Sequence, residues 1–400
     1  MNNVNKPLIL LAMVFLLACS TDKAHQTEED NVIEVDVKGI QTLKYSDVFQ
    51  LKDIVLFDSP DMIVSNIGKA TLFREYVVVR CDGSVNSLIS KNITTGKLIK
   101  IGREGRGPGE YLKLTDFLID EEKEAIWILD RNLGKILRYD LEGELQSEDI
   151  NDTYLHAQAF YKLAEDKVAL YYGSMGSHRV QIVNTTTGEV LERHIEVKEN
   201  EAQFLHFYEA SNFTDGGLFH FKFHNNLYEM NGFKKAYEIS FKNQTLPAEI
   251  MERNFEDVRE FVEYCRATSY AYGVSNIIEM PHQMLFAFNY NKGLVNCIYH
   301  LDSNKYIVYN ETSNDVFGLG QVNKLGYMDL PRGGNKNTLM FEVEPQIAKE
   351  QLEKARRTLP KDQWEALYSN RGEWIGLLDS LSLESNSFLV LVELKDEVRL

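Results

Sequence analysis

Apolar and polar residues follow different rhythms in different parts of this chain. From Pro7 to Ala18 an unbroken apolar run, "PLILLAMVFLLA", follows Lys6 and stops at Cys19. That run is short for a hydrocarbon core about 30 Å thick, and a charged residue, an apolar centre and a small residue in that order form a signal peptide pattern over residues 1–18. The next stretch, "STDKAHQTEEDN" from Ser20 to Asn31, has no apolar period at all. Residues 19–31 are therefore expected to be a flexible tether.

Beyond the tether, short apolar runs alternate with polar turns, and the alternation repeats. Five segments share the order strand, tight turn, strand: "SLISKNITTGKLIKIG", "KILRYDLEGELQSED", "VQIVNTTTGEVLERHI", "NLYEMNGFKKAYEIS" and "CIYHLDSNKYIVYNE". Their turn marks fall at Gly96, Gly143, Gly188, Gly232 and Asn304, so the first four are spaced by 47, 45 and 44 residues. Further strands lie between the hairpins, such as "YVVV" at Tyr76, "AIWIL" at Ala125 and "KVALYY" at Lys167. Each repeat thus holds about four strands, and four-stranded sheets at a spacing of about 40–50 residues mark a β-propeller. With a last unit from "NTLMFEV" and "SFLVLVELK", residues 32–400 are expected to form an all-β, six-bladed β-propeller of four-stranded blades. Two segments interrupt the array with helical spacing. In 247–266 Met251, Phe255, Val258, Val262 and Cys265 recur behind Pro247; in 345–385 Ala348, Leu352, Ala355 and Leu359 line one face before Pro360.

Composition narrows the class. Hydrophobic residues make up 44% of the chain and aromatic residues 11%, which is enough for a large buried core and excludes disorder for the bulk of it. A formal charge of -17 repels phosphate backbones and anionic lipid, so nucleic acid is not an expected partner. Past the signal only Cys81, Cys265 and Cys297 remain, without CxxC spacing, and they read as small buried thiols rather than a disulfide framework.

The densest local motif is "IGREGRGPGEY", Ile101 to Tyr111. A Walker loop needs a Lys and a hydroxyl leading into a helix. Here Gly107 is followed by Pro108 and Gly109, and the next apolar segments, "FLID" and "IWIL", are strands. Gly102, Gly105, Gly107, Pro108, Gly109, Glu110 and Tyr111 are therefore expected to form a structural turn, joining the outer strand of one blade to the inner strand of the next.

The run from Ile101 to Leu145, with its Gly-rich turn, an Asp after "IWIL" and a strand closing at "DLEG", resembles an NHL-type propeller blade. "LLAC" resembles the lipobox of bacterial lipoproteins. Together with "VIEVDV", "SDVFQLKDIVLFDS", "GREGRGPGEY" and "ESNSFLVLVELK" it makes nearly the whole mature chain similar to the six-bladed β-propeller lipoproteins common in Bacteroidota. At the close Ser387 follows Asn386, where that family often has Asn-Pro. The resemblance implies a lipidated Cys19 that anchors the protein to the outer membrane, on its periplasmic face or at the cell surface. It brings no agreed reaction.

Catalytic patterns are missing: the chain has no HExxH, no EF-hand loop and no G-x-S-x-G elbow. "HFKFH" would place His220, Lys222 and His224 on one face of a strand and Phe219, Phe221 and Phe223 on the other. Histidines four apart on a strand are separated by roughly 13 Å, too far to share one ion, so no metal and no cofactor is expected. Connections between blades carry Arg106, His156, His206 and Tyr272, and such connections gather at one end of a propeller axis. These four are the candidate ligand-binding residues, suited to a glycan, peptide or envelope-protein partner because arginine forks grip carboxylates and tyrosines stack. The function expected is a binding or scaffold module. The alternative is a hydrolase or lyase with its site at the central axis.

Overall fold

The computed structural model describes residues 31–83, 86–198, 212–253 and 255–395. Its strands build six sheets of four or more strands, besides one small two-stranded ribbon. The first sheet runs Ile67–Phe73, Tyr76–Cys81, Ser87–Asn92 and Leu98–Ile101. The second holds Asp116–Asp120, Ala125–Asp130, Lys135–Asp140 and Leu145–Ile150, and the third Ala159–Ala164, Lys167–Tyr171, His178–Asn184 and Val190–Glu196. In the fourth, Leu218–Phe219, Asn226–Glu229 and Lys234–Ser240 are consecutive. The fifth has the long strands Tyr272–Met280, Gln283–Tyr290, Gly293–His300 and Lys305–Ser313. The sixth contributes Gly333–Asn335, Thr338–Val343 and Phe388–Leu394.

The amino-terminal segment finishes the outer edges of the last three sheets. Val32–Glu34 pairs parallel with Lys234–Ser240, Gln41–Lys44 pairs parallel with Lys305–Ser313, and Phe49–Val55 pairs antiparallel with Phe388–Leu394. One stretch of chain thereby caps three sheet edges that would otherwise offer unpaired backbone groups.

Turn chemistry explains why the hairpins close where they do. All five turn marks have left-handed backbone, with φ of 76°, 87°, 74° and 80° at the four glycines and 55° at Asn304. In the first and third sheets a side chain sets the bend: Asn92 Oδ1 accepts the N–H of Thr94 and Thr95 at 3.0 and 2.9 Å, and Asn184 Oδ1 those of Thr186 and Thr187, both at 2.9 Å.

The core is divided among the gaps between neighbouring sheets. Ile126 and Ile128 pack with Val78 and Leu88 of the first sheet, while Trp127 and Leu129, on the other face of the same strand, pack with Phe160 and Leu170 of the third. Both faces of "AIWILD" are buried, so its apolar run is nearly continuous rather than alternating. Similar clusters join the third sheet to the fourth, the fourth to the fifth and the fifth to the sixth, and Val55, Met340 and Leu389 of the sixth pack with Val77, Val79 and Ile89 of the first. Burying each such side chain contributes about 1.5–3 kcal/mol.

Helices are few. Val258–Thr268 lies between the fourth and fifth sheets, capped by Asp257, which accepts the Glu260 N–H at 2.9 Å. It starts later than the apolar period alone predicts, because the chain after Pro247 first makes a short 3-10 turn over Ala248–Glu252. Pro345–Thr358 and Lys361–Ser380 are inserted between two strands of the sixth sheet and part at Pro360. One expected strand is not found. "HFKFH" leaves the sheet after Phe219, turns at Phe223 with φ 71°, and buries His220, Phe221 and Phe223 together. A contact across sheets, His220 Nε2 to Val274 O at 2.8 Å, outweighs local alternation there. The three thiols Cys81, Cys265 and Cys297 are buried and unbonded.

Candidate axial site

The glycine-rich turn consumes its own polar groups. Arg103 Nε lies 2.6 Å from Glu110 Oε1, and Glu110 Oε2 accepts the Gly107 N–H at 2.7 Å. The Gly107 N–H first, and Arg103 second, hold the Glu110 carboxyl below its ordinary range. Gly109 has φ +69° and donates to Glu148 Oε2 at 2.8 Å, while Tyr139 O–H donates to Gly109 O. Tyr111 is buried, and Leu112 N–H reaches Asp130 at 2.6 Å. The turn therefore lies over the two outer strands of the second sheet.

The structure places three of the four candidate ligand residues. Arg106 is exposed on the turn, above the outer strands. His156 is exposed in the connection between the second and third sheets, with φ 67° and its N–H directed at Arg131 O. Tyr272 is only 5% exposed and packs edge-on against Phe261 of the inserted helix, 5.8 Å between ring centres. His206 lies outside the described residues. Each connection runs from the outer strand of one sheet to the inner strand of the next, and Arg106 sits at the outer end of its own. Tyr272 is a core residue.

The inner strands do converge, and they bring charge. Ala70 N–H donates to Arg332 O at 2.9 Å, tying the first sheet to the sixth, and Gly333 lies so close that a Cβ there would sit 1.9 Å from Ala70 O. Around this seam a pocket of about 90 Å³ is lined by Lys69, Thr214, Asp215, Asn276, Glu279 and Arg332, among others. These residues come from strands of the first and fifth sheets and from the segments leading into the fourth and sixth, and are separated by up to 263 positions, from Lys69 to Arg332.

The cations of this region are paired. Lys69 Nζ lies 2.9 Å from Asp116 Oδ1 and donates to Phe117 O at 2.8 Å. Arg80 grips Asp82 through two hydrogen bonds of 2.8 and 2.9 Å and stands 3.6 Å from Asp116. Arg332 pairs with Glu342 at 3.1 Å. Asp215 and Glu279, by contrast, have no cation within ion-pair distance among the described residues. Glu279 accepts a hydrogen bond from Thr214 Oγ1 at 2.8 Å and presses so near Gly216 that any Cβ there would meet its Oε2 at 2.2 Å. Burial pushes the Glu279 carboxyl up, and the charge of Asp215 adds to the shift. Burial likewise raises Asp215, against the pull of Lys69. Asp215 is exposed although protein surrounds it closely, as a group at the open mouth of a pocket would be.

No motif pointed to these residues. The available signal was faint: single charges within or just before four inner strands, in "IGKATLF", "TDGG", "IIEM" and "PRGG". Among the described residues no group of three His, Cys, Asp or Glu side chains is placed to hold a metal ion, and no helix is long and apolar enough to cross a membrane.

The profile of a family described as a domain of unknown function, DUF4934, matches residues 31–393, and the chain belongs to that family. Among solved structures, a candidate exported protein from Bacteroides fragilis NCTC 9343 is similar over 91% of this chain and 100% of its own, with 14% identity and a TM-score of 0.66. A member of the duf4221 family from Bacteroides vulgatus ATCC 8482 is similar over 87% and 98%, with 10% identity and a TM-score of 0.49. Virginiamycin B lyase from Staphylococcus aureus covers 73% of this chain and 81% of its own at 13% identity and a TM-score of 0.40. The first likeness is one of fold, and the all-β chain is propeller-like; the two looser ones carry nothing further. No curated protein matches the chain.

Proposed function

We propose that this DUF4934 member is a six-bladed β-propeller binding module of the bacterial envelope, whose axial pocket receives the protonated amine of a peptide or amino-sugar glycan. One observation carries the reading: among the described residues Lys69, Arg80 and Arg332 each have a carboxylate partner at the axis, while Asp215 and Glu279 have no cation within ion-pair distance. A carboxylate pair in a partly desolvated pocket is completed by an ammonium group, and the attraction there exceeds that in open water. A pocket of about 90 Å³ accommodates the tip of a side chain or one substituent, so the rest of the ligand would lie across the rim. The six core clusters between neighbouring sheets, with the last joining sixth to first, support the closed ring.

The experiment is calorimetry of the purified full chain with glucosamine and with lysine amide, each against its N-acetylated form. The amines bind and the acetylated forms do not; equal binding of both forms removes the reading.

A second reading rests on the same two carboxylates. Their raised pKa suits general acid catalysis, as in a hydrolase or lyase working at the axis. Release of product from glycan fragments, lost in Asp215→Asn and Glu279→Gln, would distinguish it from binding alone.

The anchor is part of the proposal. An apolar leader ending at Cys19, and a structural relative classed as exported, support attachment to the outer membrane through lipid on that thiol. Cys19→Ala should move the protein from the membrane pellet to the soluble envelope fraction; an unchanged distribution would overturn the anchor.

A further inference from the structure

We propose that the cleft between the inserted helix Pro345–Thr358 and the fifth and sixth sheets is a second ligand site, which takes an organic cation carried on an aromatic or alkyl body. This cleft is a separate pocket from the axial one, the two meeting at the Arg332–Glu342 pair. Its volume is about 330 Å³, within the range of about 300–1,000 Å³ typical of small-molecule pockets and several times that of the axial pocket.

The floor of the cleft is aromatic. Tyr45, Phe317 and Phe341 form one cluster, with ring centres 5.6 Å apart for Tyr45 and Phe317 and 5.2 Å apart for Phe317 and Phe341. The walls continue to Trp374 from the second inserted helix. At the mouth stand Met328 and Ile347, 49% and 46% exposed, two large apolar side chains that water contacts and that a bound apolar body would cover.

Charge selects the kind of body. Asp329, Glu342 and Glu344 line the same cleft. Glu342 is the deepest, its side chain 1% exposed. Its Oε1 accepts the Ile67 N–H at 3.0 Å, and its Oε2 lies 3.1 Å from Arg332 Nη2 without forming a hydrogen bond. One guanidinium thus answers three carboxylates on the inner side, while Lys354 stands at the exposed outer end of the helix face. Burial pushes the carboxyls of Asp329 and Glu344 up, the signature of acids that an added cation would relieve. A cation held against aromatic faces gains further from their quadrupoles. A metal ion is the wrong occupant, since no trio of ligating side chains among the described residues is placed to hold one.

The test uses three probes of one shape and different charge: 2-phenylethylamine, 2-phenylethanol and phenylacetate, titrated into the purified full chain and followed by ligand-observed NMR. The amine should bind about tenfold tighter than the alcohol, a difference of about 1.4 kcal/mol, with phenylacetate weakest. Glu344→Gln should weaken the amine without changing the alcohol, and Ile347→Lys, an exposed change that spares the core, should weaken the amine more. Binding of the amine should persist in Asp215→Asn, which separates this cleft from the axial pocket. No binding of the amine, binding no tighter than the alcohol, an affinity unchanged in both cleft variants, or loss in Asp215→Asn would each overturn the proposal.

Discussion

The glycine-rich turn and the axial pocket are opposite uses of charged residues. In the turn Arg103, Glu110, Glu148 and Lys135 are close in sequence or on adjacent strands, and each finds its partner there: Arg103 with Glu110, and Lys135 with Glu148 at 2.8 Å. In the pocket Lys69 and Glu279 come from the first and fifth sheets and Asp215 and Arg332 from the segments leading into the fourth and sixth, and among the described residues Asp215 and Glu279 have no cation within ion-pair distance. A region that satisfies itself closes the fold; one that does not is available to something else. Density of motif in the sequence therefore reports local pairing, and the proposed function rests on the incomplete set of charges.

The largest effect expected belongs to the paired part of the axis. Lys69→Met leaves Asp116, 4% exposed, as a buried carboxylate short of its nearest cation. Breaking such a pair costs about 3 kcal/mol, at the low end of its range because Arg80 remains 3.6 Å away, and denaturant unfolding measures it. A variant as stable as the parent would mean that the axis is solvated and that its electrostatics carry little weight.

The turn side of the contrast is tested by Gly109→Val. With φ +69°, and a Cβ meeting Leu145 Cδ2 at 3.0 Å, the substitution should destabilise by roughly 1–3 kcal/mol in thermal melting. Amine binding at the axis should be unchanged in the folded protein. Gly107 is a different case: its φ is not positive, and a Cβ would meet only the Glu110 carboxylate, at 3.0 Å, so the strain belongs to Gly109.

The smallest effect is a slope with pH. Because burial holds the Glu279 pKa above its ordinary value of 4.5, the folded protein binds more protons than the unfolded chain just above that pH. Stability contributed by this group is full below pH 4.5 and declines as pH rises through the raised pKa. Glu279→Gln removes that decline, so the variant should gain on the parent between pH 4 and pH 7; a constant difference across that range would place Glu279 in ordinary solvent.

Much of the architecture was legible in the chain. The spacing of Gly96, Gly143, Gly188 and Gly232 located four hairpins because a left-handed turn residue is required where each strand pair bends. The apolar periods around Leu352 and Ala355 located an inserted helix, since its buried face is local. "HFKFH" misled because His220 answers to Val274, 54 residues away. The amino-terminal strands that edge the last three sheets, and the axial charges, depend on contacts of still longer range. Tyr272 shows the same limit: read as part of a connection between blades, it begins the strand Tyr272–Met280, and its burial against Phe261 depends on where the inserted helix lands.

The most direct test of the account is the Asp215→Asn variant, which removes one of the two axial carboxylates that have no cation partner among the described residues while keeping its size. Titrated with glucosamine or lysine amide, the parent should bind and the variant should bind about tenfold more weakly, with neither binding the N-acetylated forms. Equal affinity of parent and variant for the amine would contradict the axial site.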